Sequence, residues 1–244
     1  MRIWTDRMPV CEHFYPDRVT LWDAMASRVA RCLQRSVSEG ERATLLVSGG
    51  SSPLPLFEAL SVEELAWRQI DVGLVDERWV PETHPASNTA RVRGHLLQNA
   101  ARQARFQRTY VPDTAASERA ATMNERAFWT GLVPAVSVLG MGSDFHTASI
   151  FPNAEHTARA LADDAPAILH TFPTGTPDNP PFDRVTVTAP VLKRSRELML
   201  LILGDEKRER YESAKNMDAA NVVAAPIVSF MHTQDVRLEV YGAP

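Results

Sequence analysis

The sequence predicts an α/β fold in which helices cover both faces of a largely parallel sheet. Three observations carry that prediction. Short runs such as residues 43–48 and 198–203 are apolar at nearly every position, as strands buried on both faces require. They alternate with longer segments in which apolar residues recur every three or four positions. Glycines, only 11 in 244 residues, cluster directly after two of the apolar runs, at Gly49-Gly50 and at Gly140 and Gly142.

The elements follow in order. Residues 17–38 read as a helix, with Val19, Trp22, Met25, Ala26, Val29 and Leu33 on one side and Arg28, Arg31 and Arg35 on the others. Residues 43–48 form a strand, and Gly49-Gly50-Ser51-Ser52-Pro53 turns the chain into a helix reaching Leu60. Residues 70–75 are the second strand, ending at Asp76-Glu77-Arg78, and Ser87-Asn88 offers a cap for a helix through Leu97. A helix over 116–129, a third strand over 135–139, and the fourth and fifth strands over 185–188 and 198–203 come next. Asp205 and Glu206 occupy the first turn of the following helix, where its dipole favours acidic groups. Residues 236–241 alternate polar with apolar and suit an edge or half-exposed strand. The cluster Pro177-Asp178-Asn179-Pro180-Pro181 marks a loop rather than a linker, so residues 1–244 read as one domain.

The 44% apolar and 23% charged residues are those of a soluble globular protein and exclude a disordered chain, a collagen and a coiled coil. A net charge of −4 argues against a general nucleic-acid binder, and it obliges any anionic ligand to find a local cationic pocket. Met1 to Val10 is too polar for a signal peptide and no run of 18 apolar residues exists, so a cytoplasmic protein without a membrane partner is expected. Cys11 and Cys32 make no disulfide framework and fit no zinc spacing; they read as small buried hydrophobes, with Cys32 on the apolar side of the first helix.

Ligands of a parallel sheet sit beyond the carboxyl ends of its strands. The segments to weigh are therefore 48–53, 76–88, 140–152 and 204–208. At 48–53 the glycines permit close backbone approach and the helix start offers free N–H groups, which suits a phosphate; a plain strand-to-helix turn would look the same. Residues 140–146 resemble half a dinucleotide fingerprint, but the third glycine and the acidic residue after the next strand are missing, which speaks against a nicotinamide site. Of the seven histidines, His13, His84, His95, His156, His170 and His232 fit surface or loop positions. His146 stands two residues after Asp144, and a carboxylate there can fix an imidazole as a water-activating base or simply hold a structural histidine. Asp76-Glu77-Arg78 can meet sugar hydroxyls and an anion, or form a surface ion-pair cluster; Arg184 and Lys207 are the other cations at strand boundaries.

Residues 45–53 (Leu-Leu-Val-Ser-Gly-Gly-Ser-Ser-Pro), 75–81 (Val-Asp-Glu-Arg-Trp-Val-Pro) with Ser87-Asn88, and 138–152 (Val-Leu-Gly-Met-Gly-Ser-Asp-Phe-His-Thr-Ala-Ser-Ile-Phe-Pro) together resemble the 6-phosphogluconolactonase family. Residues 184–188 and 203–207 follow in the family's order, so the resemblance spans residues 15–240. It implies a Rossmann-like three-layer α/β/α sandwich, shared with glucosamine-6-phosphate deaminases. It also implies hydrolysis of 6-phospho-D-glucono-1,5-lactone to 6-phosphogluconate, in the oxidative branch of the pentose phosphate pathway, with no metal or cofactor. Under it His146 is the base and Asp144 its orienter. Ser48, Gly49, Gly50, Ser51 and Ser52, with Arg184 and Lys207, hold the phosphate, while Asp76 and Arg78 line the sugar end. The partner is a small sugar phosphate, and monomer and dimer both stay open.

One residue departs from the family pattern. Phe145 stands where the family has glycine, and it is expected to narrow the pocket, re-aim His146 or change which sugar phosphate fits. Ser52 replaces a common threonine and keeps the hydroxyl. Two other readings remain open: an isomerase or deaminase of amino-sugar phosphates, and a sugar-phosphate-binding protein without turnover. The amino-sugar enzymes usually carry Asp-Glu-Tyr in place of Asp76-Glu77-Arg78 and an Asn-Glu-Pro in the 149–152 stretch.

Overall fold

The computed structural model describes residues 10–173 and 181–244. The polar start (residues 1–9) and positions 177–180 of the proline cluster lie outside the described residues. In chain order the strands are β1 (Cys11–Phe14), β2 (Ala43–Val47), β3 (Ile70–Leu74), β4 (Asp76–Arg78), β5 (Arg105–Phe106), β6 (Val136–Gly140), β7 (Ile168–Thr171), β8 (Arg184–Val187), β9 (Glu197–Leu203) and β10 (Leu238–Ala243). The α-helices are α1 (Arg18–Ser38), α2 (Leu54–Ser61), α3 (Asn88–Arg91), α4 (Ala116–Asn124), α5 (Thr157–Leu161), α6 (Ala189–Lys193), α7 (Asp205–Lys215) and α8 (Val228–Met231).

Seven strands form one sheet in the order β1-β10-β9-β6-β2-β3-β5, and every neighbouring pair runs parallel. Strand alternation divides the apolar side chains between two cores. Leu45 and Val47 of β2, Val136 and Val138 of β6, and Met199 and Leu201 of β9 face α1 and α2. Leu46, Leu139, Leu198, Leu200 and Ile202 face the opposite way, against residues of α4, α6, α7 and α8. A period of two with both faces buried is why these runs read as continuously apolar. The Asp17 carboxylate caps α1 by accepting the Thr20 N–H at 2.8 Å, and Cys32 is buried on that helix as expected.

Several sequence expectations fail, for identifiable reasons. Residues 236–241 do not make an edge: β10 lies between β1 and β9 and is buried at all six positions, and the edge belongs to β1. Residues 185–188 do not extend the parallel sheet, and Asp76-Glu77-Arg78, read as the segment after the second strand, is itself a strand. β4 pairs antiparallel with β8, and β8 with β7, in a separate three-stranded sheet. α4 stops at Asn124 rather than 129, and the helix capped by Ser87 passes after Arg91 into a π-turn over Val92–Leu96. Val19 is 70% exposed despite its helical spacing, Cys11 is only half-buried, and His13 and His170 lie in strands.

Candidate active site

Four loops leave the carboxyl ends of β2, β3, β6 and β9 and enclose a cavity of about 430 Å³. Every residue given a catalytic or substrate-binding role from the sequence lines it, whereas Glu77 and Phe145 do not: Ser48, Gly49, Gly50, Ser51 and Ser52 come from the first loop, Asp76 and Arg78 from β4, Asp144 and His146 from the third loop, Arg184 from β8 and Lys207 from α7. The small antiparallel sheet explains part of that convergence. Its register sets Arg78 opposite Arg184 and Asp76 opposite Thr186, so two segments a hundred residues apart deliver their charges together.

The third loop is closed on itself. Gly142 N–H donates to the His146 carbonyl at 2.9 Å, and Phe145 N–H to the Gly142 carbonyl at 3.0 Å. That closure brings His146 Nδ1 to 2.5 Å from Asp144 Oδ1, which also accepts the His146 backbone N–H at 3.2 Å. Gly142 is required here by space, since a Cβ would lie 2.2 Å from His146 Nδ1. Burial alone would raise the Asp144 carboxyl, but the hydrogen bonds and charge of His146 outweigh it and hold Asp144 below the usual carboxylate range. With Nδ1 engaged, Nε2 is the ring nitrogen left for chemistry.

Phe145 does not act as the sequence suggests. Its backbone takes φ +70°, the left-handed conformation that glycine adopts freely. Its side chain is absent from the cavity wall; the ring packs against the second core, with the Arg210 guanidinium 5.8 Å from its centroid. The loop therefore keeps a glycine-like backbone with a phenylalanine directed elsewhere.

Asp76 and Glu77 are adjacent but face different ways. Asp76 lines the cavity and accepts the Ser149 hydroxyl at 2.6 Å. Glu77 is fully buried. It accepts the backbone N–H groups of Arg78, Asn88 and Thr89 at 2.8, 2.8 and 2.7 Å and the Thr89 hydroxyl at 2.7 Å, tying β4 to α3. Burial pushes the Glu77 carboxyl upward while these donors pull it down. Asn88 is fixed in turn: its amide donates to the Asp76 carbonyl at 2.9 Å, and its Oδ1 accepts from Arg78. A Cβ on Gly49 would land on Asn88, so the glycine loop and this network fit only without a side chain there.

Arg184 is 2% exposed; burial lowers its pKa to about 10, with Asp76 supporting its charge and Arg78 opposing it. Lys207 donates to the Met141 carbonyl at 2.9 Å and is also lowered by burial. Four lining residues were given no site role from the sequence: Asn88, Ser149, Glu206 and Arg210. Asn88, Ser149 and Glu206 lie inside the motif segments but carried no residue-level reason to choose them, and Arg210 lies outside every motif.

No helix among the described residues is long and apolar enough to cross a membrane. Comparison with known proteins gives concordant results. The chain is 38% identical to a 6-phosphogluconolactonase of Mesorhizobium japonicum over 94% of both chains. It is 41% identical to one of Pseudomonas aeruginosa over 75% of this chain and 76% of that one. Its structure superposes on the crystal structure of a 6-phosphogluconolactonase from Shewanella baltica with a TM-score of 0.89 at 32% identity, covering 98% of this chain and all of the other. Residues 16–238 match the glucosamine-6-phosphate isomerases/6-phosphogluconolactonase family, and the chain belongs to it.

Proposed function

We propose that the chain hydrolyses 6-phospho-D-glucono-1,5-lactone to 6-phosphogluconate, with His146 as general base. The observation that carries this reading is the Asp144–His146 pair at 2.5 Å, opening on the same cavity as Arg184, Lys207 and the Ser48–Ser52 loop. Asp144 holds the imidazole by Nδ1, so Nε2 takes a proton from a water as that water attacks the lactone carbonyl. The tetrahedral intermediate collapses with cleavage of the bond to the ring oxygen, and the imidazolium returns its proton to that leaving oxygen. The ring needs little more help, because its carbonyl is already electrophilic.

Recognition falls to the cations. Arg184, Lys207 and the N–H groups of the glycine loop grip the phosphate, each charge-assisted bond contributing about 1.5–3 kcal/mol. Asp76 and Arg78 meet the sugar hydroxyls. Binding energy from the remote phosphate then fixes the carbonyl against His146. The lining residues run from 48 to 210, which supports treating the chain as one catalytic domain, and a sugar-phosphate substrate is consistent with a cytoplasmic location. The amino-sugar reading gains nothing from Asp76-Glu77-Arg78, and a binding protein disabled by Phe145 loses its basis because that ring lies off the cavity wall.

The test is the rate of lactone loss, corrected for spontaneous opening, with the purified chain and with His146→Ala. Acceleration that largely disappears in the variant is expected; no acceleration by the unsubstituted chain would refute the assignment.

A further inference from the structure

A second group of reactive side chains lies at the other end of the sheet. β1 and β10 run parallel with Cys11 opposite Glu239 and His13 opposite Tyr241. Alternation along each strand puts all four on one face, where they line a cavity of about 320 Å³. One ligand atom from each of Cys11, His13 and Glu239 lies within 4.8 Å of the others. Sulfur, imidazole nitrogen and carboxylate oxygen are the three donor types of zinc sites.

From this juxtaposition we propose that Cys11, His13 and Glu239 form a site for a zinc-class divalent cation that clasps the edge strand β1 to β10. The surroundings are organised for it. Arg237 Nε donates to Glu239 Oε1 at 2.6 Å, leaving Oε2 directed at His13 Nε2, 2.7 Å away. The His13 ring stacks on Tyr241 at 4.7 Å, which fixes its plane. Oriented ligands of this kind are what second-sphere contacts provide in metal sites. Zinc–ligand distances of about 2.0–2.3 Å require the His13–Glu239 hydrogen bond to open slightly, a side-chain movement only. The cation takes the place of the proton between them, the neutral imidazole then carrying its hydrogen on Nδ1, and the Cys11 thiol loses its proton to solvent on binding. Three guanidiniums border the cavity and repel a cation, but Arg28 is already paired with Glu197 at 2.7 Å, Arg237 with Glu239, and Arg31 is exposed to solvent. A water completes the fourth position. Linear spacing hides this set, because its third member is more than two hundred residues from the first two.

The experiment is titration of the chelator-treated full chain with Co²⁺, followed by displacement with Zn²⁺. A single equivalent should produce a thiolate-to-cobalt charge-transfer band in the near ultraviolet, and Zn²⁺ should abolish it. Cys11→Ser should remove the band while Cys32→Ser keeps it, and His13→Gln should weaken binding by loss of a direct ligand. The same Zn²⁺ should raise the melting temperature of the unsubstituted chain and not that of Cys11→Ser. Circular dichroism and lactone hydrolysis identify folded variants. Absence of the band in the unsubstituted chain, or its survival in Cys11→Ser, would overturn the proposal.

Discussion

The two ends of the parallel sheet treat buried charge in opposite ways. At the amino ends, Asp71 of β3, Glu197 of β9 and Glu239 of β10 are each at most 6% exposed, and each is met by guanidinium groups. Arg105 donates to Asp71 at 2.5 and 2.8 Å, Arg28 to Glu197 at 2.7 Å and Arg237 to Glu239 at 2.6 Å. Those hydrogen bonds raise the pKa of all three arginines. At the carboxyl ends, burial dominates instead and lowers Arg184 and Lys207. A cation raised by its own carboxylate is already satisfied. A cation lowered by burial gains most when an anion arrives, which is what a substrate site requires.

The comparison is tested most severely at Asp144. An asparagine in its place would present an amide to Nδ1 and favour the tautomer whose Nε2 carries the hydrogen, so Asp144→Asn should lower kcat by roughly 10²–10⁴-fold with KM little changed. Initial rates of lactone loss decide it; an undiminished kcat would make the pair structural. Next in size is Arg184→Ala. Loss of one charge-assisted contact of about 1.5–3 kcal/mol should raise KM by roughly 10–100-fold and leave kcat nearly intact, because phosphate is held alike in ground and transition states. A fall in kcat with KM constant would contradict that role.

Proton linkage sharpens the same point. Arg184 in the free protein loses its proton as pH passes about 10, and Lys207 is displaced in the same direction. A bound dianion favours the protonated forms. Calorimetric affinity for 6-phosphogluconate should therefore hold steady up to the approach of pH 10 and weaken above it, and Arg184→Ala should reduce the slope.

At the opposite end, Asp71→Asn should spare catalysis. Breaking a buried pair is costly, but Arg42 and Arg105 are 44% and 57% exposed, so a loss of about 1–3 kcal/mol in urea unfolding is expected, with kcat and KM unchanged. Burial would raise the Asp71 carboxyl, but hydrogen bonds from Arg105 and Arg42 hold it below its ordinary value. Its contribution to stability is thus complete above the unfolded carboxylate pKa and is lost as pH falls through the lower folded value. The Asp71→Asn variant should show a flatter acid limb.

The carboxyl end was the more legible of the two in the sequence. Gly49, Gly50, Gly140 and Gly142 follow apolar runs at once, so strand ends and ligand loops announce themselves locally. The amino end and the small sheet did not, because their logic is pairing at a distance. β4 is three residues long and exists through Arg184 and its neighbours. Arg237 and Glu239 gave residues 236–241 the polar alternation of a half-exposed strand, yet Glu239 is buried against His13 and Arg237. Asn88 lines the cavity because buried Glu77 ties its backbone to β4 while its amide meets the Asp76 carbonyl and Arg78, contacts that no spacing foretells.

The smallest expected effect concerns Phe145, which stands where the resemblance read from the sequence implies a glycine. A non-glycine residue at φ +70° carries a cost of roughly 1–2 kcal/mol, which Phe145→Gly would remove. Glycine returns about 0.5–1 kcal/mol of that as greater freedom of the unfolded chain. It also forfeits the contact of a half-buried ring with the second core and with Arg210. These opposing contributions nearly cancel, so the urea midpoint should move little, by the equivalent of about 1 kcal/mol or less. Turnover should also hold, since the ring is not part of the cavity wall and the loop backbone already has the glycine-like conformation. A roughly tenfold rise in kcat for Phe145→Gly would mean that the ring reaches the reacting carbonyl during turnover, and the carboxyl end would then be less preorganised than the Asp144–His146 contact implies.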